Sequence, residues 1–139
     1  MVYDIEIKEA FKSLNSVLRY SWHKRYNEGR RWRRMIGEAL LCCGYRVPGE
    51  PYEYAHVRIT RYSSRLLDYD NLVGGAKTIV DVLKSPVVKC GKGEGLKVFN
   101  KSGLGFIKDD DPRCVKLEYR QEIRRLPGTR IEIKELERC

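Results

Sequence analysis

The sequence predicts one α+β domain, with two or three helices and a small mixed or antiparallel sheet. Its 139 residues suffice for a single hydrophobic core and are too few for two ordinary domains. Apolar and polar residues alternate at several places along the chain, which is the period of a half-buried strand. Helical spacing of apolar residues separates these places. Neither a repeat nor a linker divides residues 1–139, so we expect one domain.

The first half of the chain predicts a strand, a helical region and a second strand. Residues 2–8 alternate between apolar and polar side chains, as a half-buried strand does. Helical spacing follows over residues 17–43, with a break expected near residues 27–29 and Gly44 as the helix end. Residues 54–62 alternate again and predict the second strand.

The second half predicts a short helix, a loop and a hairpin. Apolar residues within 76–84 have the spacing of a short amphipathic helix. Residues 85–105 are rich in Gly and Lys and predict a loop, with a short hairpin near residues 96–99. Alternation over residues 115–123 and 129–136, with a Pro-Gly pair between them, predicts a C-terminal β-hairpin.

The charge balance indicates a polyanionic partner. The chain has 28 Lys and Arg against 19 Asp and Glu, a formal net charge of +9. Nucleic acid is therefore the first expectation and a membrane surface the second. No stretch approaches the roughly 20 consecutive apolar residues of a membrane span, and the first residues lack the pattern of a signal peptide. We expect a soluble, cytoplasmic protein with no membrane partner.

The five cysteines predict neither a disulfide framework nor a zinc site. Their number is odd, two are adjacent, and no C-x-x-C spacing occurs. We expect them to be reduced. Cys42 and Cys43 follow two leucines at the expected end of a buried helix, which predicts a packing role, because free Cys behaves as a small hydrophobe.

Two groups of acids carry the strongest indication of chemistry in this basic chain. Asp68 and Asp70 follow the second expected strand; if the strand continues, both side chains point the same way and can bind one hard cation. Asp110, within the run of Asp109, Asp110 and Asp111, can supply a third carboxylate. Such a Mg²⁺ site suits phosphodiester hydrolysis. The alternatives are a capped turn before a helix and a solvated acidic loop.

Lys77 lies in the first turn of the short helix expected at residues 76–84. The helix dipole disfavours a cation there, so we expect a nearby anion, either the metal carboxylates or a substrate phosphate. A lysine in that place can stabilise developing negative charge; the alternative is an ordinary surface lysine. The preceding Gly74 and Gly75 favour either close approach of a phosphate or a turn with positive φ.

A basic and aromatic segment at residues 19–34 is the expected DNA contact. It holds seven cations against one acid, with tyrosines and tryptophans between them. This composition suits phosphate contacts and stacking on exposed bases; the alternative is a solvated helix face with tryptophans in the core. The cations assigned to DNA binding are Arg19, Lys24, Arg25, Arg30, Arg31, Arg33 and Arg34.

Taken in order, these residues resemble the RusA family of Holliday junction resolvases, the crossover junction endodeoxyribonucleases, in the version that bacteriophages and prophages encode. The resemblance is carried by Asp-Tyr-Asp-Asn-Leu at residues 68–72 and by Lys77 with Asp81. It continues with Gly-Phe-Ile-Lys-Asp-Asp at residues 105–110 and Leu-Glu-Tyr-Arg-Gln at residues 117–121. The combination in this order is specific, whereas each part alone is not.

The resemblance implies a RusA-like fold and a homodimeric endonuclease that uses Mg²⁺, or Mn²⁺ in its place, to resolve four-way DNA junctions. By position, Asp68, Asp70 and Asp110 match the family's three essential carboxylates, and Lys77 matches its essential lysine. Lys77 follows Asp70 by more residues than in compact members, and the segment before the second acidic run is longer. The alternative from a different class is a non-catalytic, basic nucleic-acid-binding protein.

Overall fold

The computed structural model describes residues 2–90, 95–101 and 103–137, which form two sheets, one long helix and three short helical segments. The elements are β1 (Val2–Ile7), α1 (Leu14–Leu18), α2 (Trp22–Cys42), β2 (Ala55–Ser63), α3 (Tyr69–Gly75), α4 (Lys77–Leu83), β3 (Val87–Cys90), β4 (Leu96–Phe99), β5 (Val115–Ile123) and β6 (Gly128–Glu135). The predicted α+β class is confirmed. No helix in these ranges combines the length and apolar character needed to cross a bilayer.

The main sheet is mixed, with the strand order β1-β6-β2-β5. β5 runs parallel to β2, whereas β6 runs antiparallel to both β1 and β2. The predicted hairpin of β5 and β6 is therefore wrong, although both strands form where the alternation places them. The reason is β2, which is buried on both faces: besides its apolar core residues, Thr60 and Tyr62 are only 4% and 8% exposed. A strand of this kind belongs in the middle of a sheet.

The core lies between the helices and one face of this sheet. One row of paired residues crosses the sheet from β1 to β5 as Ile5, Ile131, Ile59 and Tyr119. Its three isoleucines are buried and Tyr119 packs at the edge. α2 covers this face with Trp32, Ile36 and Leu40, which are buried at helical spacing. The opposite face of the sheet carries ion pairs such as Asp4 with Arg130, at 2.7 Å.

The helical break lies at residues 19–21, earlier than the expected break near residues 27–29. Ser21 caps α2 by accepting a hydrogen bond from the Lys24 backbone N–H at 3.2 Å. Serine is a favoured N-cap, whereas a glycine inside a helix costs only about 1 kcal/mol, so α2 continues through Gly29. It ends at Cys42, and Gly44 follows the C-cap with a φ of 73°, in the place predicted for a glycine that stops the helix.

Cys42 and Cys43 are both exposed, so their predicted packing role is wrong. Cys42 follows the buried Leu40 by two residues, and this spacing turns its side chain away from the core face of the helix. Cys43 is the C-cap and lies beyond the last residue of the helix. Cys42, Cys43 and Cys114 are free thiols, as expected.

The expected short hairpin near residues 96–99 is present. β3 and β4 pair antiparallel, with Val87 opposite Phe99 at the open end. Part of the predicted loop, residues 91–94 and 102, lies outside the described residues. The hairpin forms a separate two-stranded sheet beside the main one.

Gly74 and Gly75 are needed for close packing of α3 against the chain before α1. A Cβ on Gly75 would lie 2.0 Å from the backbone oxygen of Lys12, and one on Gly74 would lie 2.7 Å from a methyl group of Leu14. Both residues belong to a helix, and the described glycines with positive φ lie elsewhere. The predicted turn with positive φ is therefore wrong, and residues 12–14 fill the space on the Cβ side of both glycines.

We expect Gly75→Ala to destabilise the fold by about 1–3 kcal/mol, because its methyl group overlaps a backbone atom that cannot rotate away. Gly37→Ala is the matched control: this glycine lies inside α2, and nothing lies within 4 Å of an added Cβ. Its free energy of unfolding should rise by about 0.5–1 kcal/mol from helix propensity. Urea denaturation measures both, and equal effects of the two changes would contradict the packing argument.

Candidate functional site

The chain leaves β2 and begins α3 at Asp68, which is the N-cap of that helix. Asp68 accepts a hydrogen bond from the backbone N–H of Asn71 at 2.9 Å and from its side-chain amide at 3.1 and 3.2 Å. These bonds, the backbone one first, lower the pKa of Asp68. The Asn71 side-chain oxygen accepts in turn from the backbone N–H of Asn15, at 3.0 Å. This chain of hydrogen bonds ties the start of α3 to α1.

The strand does not continue through Asp68 and Asp70, so the expectation that they share one face of a strand is wrong. Asp70 is in the first turn of α3 and is exposed. The capped turn that we considered as the alternative is the observed local structure, since an aspartate after an extended residue satisfies free N–H groups of the helix. Both carboxylates nevertheless lie at one end of one short helix.

Lys77 begins α4 and contacts two acids, which confirms that an anion lies beside this first-turn lysine. Its Nζ donates to Asp110 Oδ2 at 2.6 Å and lies 3.2 Å from Asp81 Oδ1. Lys84, two turns later, lies 3.4 Å from Asp109 Oδ1, 3.7 Å from Asp81 Oδ1 and 3.8 Å from Asp110 Oδ1. We call these five residues the Lys77 cluster.

The second acidic run reaches this cluster because backbone hydrogen bonds join residues 104–107 to the end of α4. The N–H groups of Leu104 and Phe106 donate to the carbonyls of Val82 and Leu83 at 2.7 and 2.9 Å. Phe106 and Ile107 are fully buried. The aspartates that follow are therefore held against the lysines of α4.

Each of the three acids in the run has a different partner. Asp110 faces Lys77, and Asp109 faces Lys84. Asp111 accepts from the backbone N–H and the guanidinium of Arg113, both at 2.8 Å, and these bonds lower the pKa of Asp111 to about 2. Of the three, Asp110 is thus the one paired with the predicted lysine.

The two lysines of the cluster offset most of the charge of its three aspartates. The hydrogen bond from Lys77 lowers the pKa of Asp110 to about 2, against the opposing effect of burial and with help from Lys84. Burial lowers the pKa of Lys77, but the hydrogen bonds and charges of Asp110 and Asp81 together raise it above its ordinary value. Asp110 and Lys77 are both ionised at neutral pH. Two lysines thus stabilise the closely spaced acids.

Two residues of β5 that the sequence analysis did not assign complete the site. Gln121 accepts from the backbone N–H of Leu67 at 2.9 Å and donates to its carbonyl at 2.6 Å, which fixes the residue before Asp68. Burial raises the pKa of the Tyr119 hydroxyl, and the charges of Tyr69, Lys77 and Asp110 also act on it. Period-two alternation on β5 is the sequence signal that places both on the inner face.

The carboxylates of this site are suitable ligands for a metal ion, but the structure does not arrange them as a preformed coordination shell. Within residues 2–90, 95–101 and 103–137, no three Asp, Glu, His or Cys side chains form a group that can hold a metal. Asp68, Asp70 and Asp110 are thus not gathered around one point. Their carboxylate oxygens are the ligands that Mg²⁺ prefers, and Mg²⁺ takes one or two protein carboxylates and fills its other positions with water or phosphate.

The basic segment divides into one partly buried cation that is held in ion pairs and a set of exposed cations. Arg31 forms ion pairs with Glu9 and Glu28, at 2.6 and 2.8 Å. The tryptophans divide in the same way, because Trp32 is in the core and Trp22 is exposed. The exposed cations of the predicted DNA-binding set are Arg19, Lys24, Arg25, Arg30, Arg33 and Arg34.

No protein-family model, curated protein or solved structure matches this chain. The resemblance to the RusA family rests on the residues quoted above.

We expect Lys77→Met to raise the pKa of Asp110 from about 2 towards the ordinary value of roughly 3.9, because the charge and hydrogen bond that hold it low are gone. Lys84→Met should cause a smaller rise, since Lys84 lies farther from Asp110. Carboxyl NMR titration measures both.

The same change alters stability with pH. A lowered pKa contributes stability above the unfolded pKa, near 4, and this contribution disappears as the pH falls towards 2. The unfolding curves of wild type and Lys77→Met should therefore converge over that range. A constant difference between pH 6 and 2 would show that the ion pair does not form.

Proposed function

We propose that this chain is a metal-dependent endodeoxyribonuclease that resolves four-way DNA junctions as a homodimer, with Mg²⁺, or Mn²⁺ in its place. The observation that best supports it is the contact of Lys77 with Asp110 across 33 residues of sequence. These are the lysine and the carboxylate that the resemblance to RusA assigns to catalysis. In the proposal the protein acts on DNA in the cytoplasm.

The residues of the cluster have distinct roles in the proposed reaction. Asp110 stays ionised and offers a carboxylate oxygen, and Asp68 and Asp70 are the other candidate ligands. A bound Mg²⁺ would take one or two of these carboxylates directly, activate water and neutralise charge on the phosphate. Lys77 stabilises negative charge on the phosphate or on the leaving oxygen. Its contact with Asp110 holds the ammonium in place before substrate arrives.

The exposed cations of α2, with Arg19 just before it, support DNA as the substrate. Arg30, Arg33 and Arg34 lie together on the exposed side of α2, and the whole chain has a formal net charge of +9. Such a surface binds phosphates through release of counterions, without regard to sequence. This fits a substrate that is recognised by its branched shape.

The homodimer follows from the number of cuts. Resolution of a junction needs two incisions at symmetry-related positions, and each chain offers one Asp68, Asp70 and Asp110 set. A two-fold dimer presents two such sites to a pseudo-two-fold substrate. β5 is an edge strand of the main sheet, and Ile123 and Leu126 near its end are exposed, which provides apolar surface for an interface. Sedimentation at micromolar concentration tests this step.

The second candidate is a non-catalytic, basic nucleic-acid-binding protein. It is favoured by the hydrogen bonds that occupy Asp68 as a helix cap and by the lysines that already pair with Asp109 and Asp110. In that case the acids serve the fold alone. The two candidates differ in what a carboxylate-to-amide change does.

We expect Asp68→Asn to abolish cleavage of a synthetic mobile junction in Mg²⁺ while the melting temperature falls much less than it does in Asp68→Ala. Asparagine caps a helix as well as aspartate does, but its amide is a poor ligand for Mg²⁺. Asp70→Asn should behave alike, with junction binding retained or improved because one negative charge beside DNA is gone.

Asp68→Ala is the matched control, since it removes the cap together with the carboxylate and should lower the melting temperature as well. Wild-type cleavage by both amide variants would remove the catalytic assignment. A wild-type protein that binds the junction without cutting it, and that Mg²⁺ does not stabilise against heat, would favour the second candidate.

We expect Arg30→Ala to weaken binding to every DNA form and to flatten the slope of log K against log salt by about 0.9 for each phosphate that the variant no longer neutralises. Arg31→Ala is the matched comparison one residue away. Because Arg31 pairs with Glu9 and Glu28, its removal should cost about 1 kcal/mol of stability and change the salt slope less. Fluorescence anisotropy over a salt series, with urea denaturation, separates the two effects. Equal slopes for Arg30→Ala and wild type would contradict binding of DNA by this face.

A further inference from the structure

A groove of about 840 Å³ runs beside the Lys77 cluster, between α1, the start of α2, α4 and the end of β4. We call it the aromatic groove. Its volume lies in the range of pockets for small organic ligands, about 300–1,000 Å³. The residues that matter for its chemistry are Trp22, Arg25, Tyr26, Lys77, Phe99 and Lys101.

The groove exposes aromatic rings that would ordinarily be buried. Trp22 is 72% exposed, Tyr26 is 46% exposed and Phe99 is 48% exposed. The rings of Trp22 and Tyr26 stack, with centroids 5.8 Å apart and planes at 10°. Exposed aromatic surface collected in one place indicates a binding site, and a stacked pair offers a flat face to another planar ring.

The charge around these rings selects an anionic partner. Lys77 lies at the end of the groove towards the acids, and Lys101 and Arg25 line other parts of it. Tyr26 and Lys101 also border the surface that carries Arg30, so the groove continues into the exposed cations of α2. Asp81, an acid in the lining, is already paired with Lys77. A planar aromatic ligand with a negatively charged backbone matches this combination.

We propose that the aromatic groove binds unpaired nucleotides of a DNA strand, with bases against Trp22, Tyr26 and Phe99 and phosphates directed to Lys77 and Lys101. Paired bases in a duplex have their faces covered by their neighbours, whereas unpaired bases can stack on side chains. The inference rests on the proposed function and specifies it: the enzyme recognises a strand that has left the duplex, next to the phosphate at Lys77.

Intrinsic fluorescence tests this inference, because the two tryptophans differ so much in burial. Trp32 is 3% exposed, so quenching by a DNA ligand reports on Trp22. In Mg²⁺-free buffer with EDTA, a short oligo(dT) should quench this fluorescence, and a duplex of the same length should quench it much less. Trp22→Ala should weaken oligo(dT) binding, measured by anisotropy, by about fivefold or more, as expected when one base no longer stacks on the protein.

Trp22→Phe is the conservative variant and should retain most of the affinity, because it keeps an aromatic face. Leu41→Ala, at the exposed far end of the same helix, is the matched control and should bind as wild type does. Absence of quenching by oligo(dT), or wild-type affinity in Trp22→Ala, would overturn the inference. Equal quenching by oligo(dT) and duplex would also overturn it, since the groove would then not distinguish unpaired bases.

The outcome is separate from that of the proposed nuclease activity. Cleavage of a junction in Mg²⁺ without quenching by oligo(dT) would leave the nuclease standing and overturn the groove. Quenching and reduced affinity in Trp22→Ala, without cleavage by the wild type, would support the groove and remove the nuclease.

Discussion

Backbone hydrogen bonds between the end of α4 and residues 104–107 are the constraint on which the candidate site depends. They place the fully buried Phe106 and Ile107 directly against the carbonyl end of the helix. Gly103 is needed for the same approach, because an added Cβ would lie 2.1 Å from the Lys84 carbonyl oxygen. The aspartates leave this rigid junction within a few residues. Their position therefore comes from backbone pairing and core packing, and the ion pairs add to a geometry that is already fixed.

This geometry gives Lys77 two possible anionic partners. In the free protein its ammonium contacts Asp110 and Asp81, and these acids keep it charged. In the proposed function a substrate phosphate competes with Asp110 for that ammonium, and the carboxylate that it displaces becomes available as an oxygen ligand. The side chain of Lys77 is half exposed, so the exchange requires no opening of the core. A site of this kind can be fully ionised, open to solvent and still ordered.

Much of this fold follows from local patterns in the sequence, and the errors occur where a non-local neighbour decides. Alternation placed β1, β2, β5 and β6 correctly, yet β5 and β6 do not pair, because β2 takes the position between them. The central position of β2 shows in the burial of Thr60 and Tyr62 on its second face. Both side chains carry polar groups, so the sequence gives no signal that they are buried. Asp68 is a second example of an ambiguous local pattern. An aspartate at this place is equally compatible with a helix N-cap and with the end of a strand.

In the candidate site, some contacts could be expected from the sequence and others could not. The contact of Lys77 with Asp110 joins two residues that were selected from sequence alone. The cations of α2, in contrast, look equivalent in sequence and differ in structure: Arg31 pairs with two glutamates, whereas Arg30 is exposed beside the ring of Tyr26. Lys77 also lines the aromatic groove, so one side chain borders both the acids and the stacked rings. If the groove holds an unpaired nucleotide, its phosphate reaches the cluster through Lys77. Binding of the branch and placement of the phosphate would then depend on the same ammonium group.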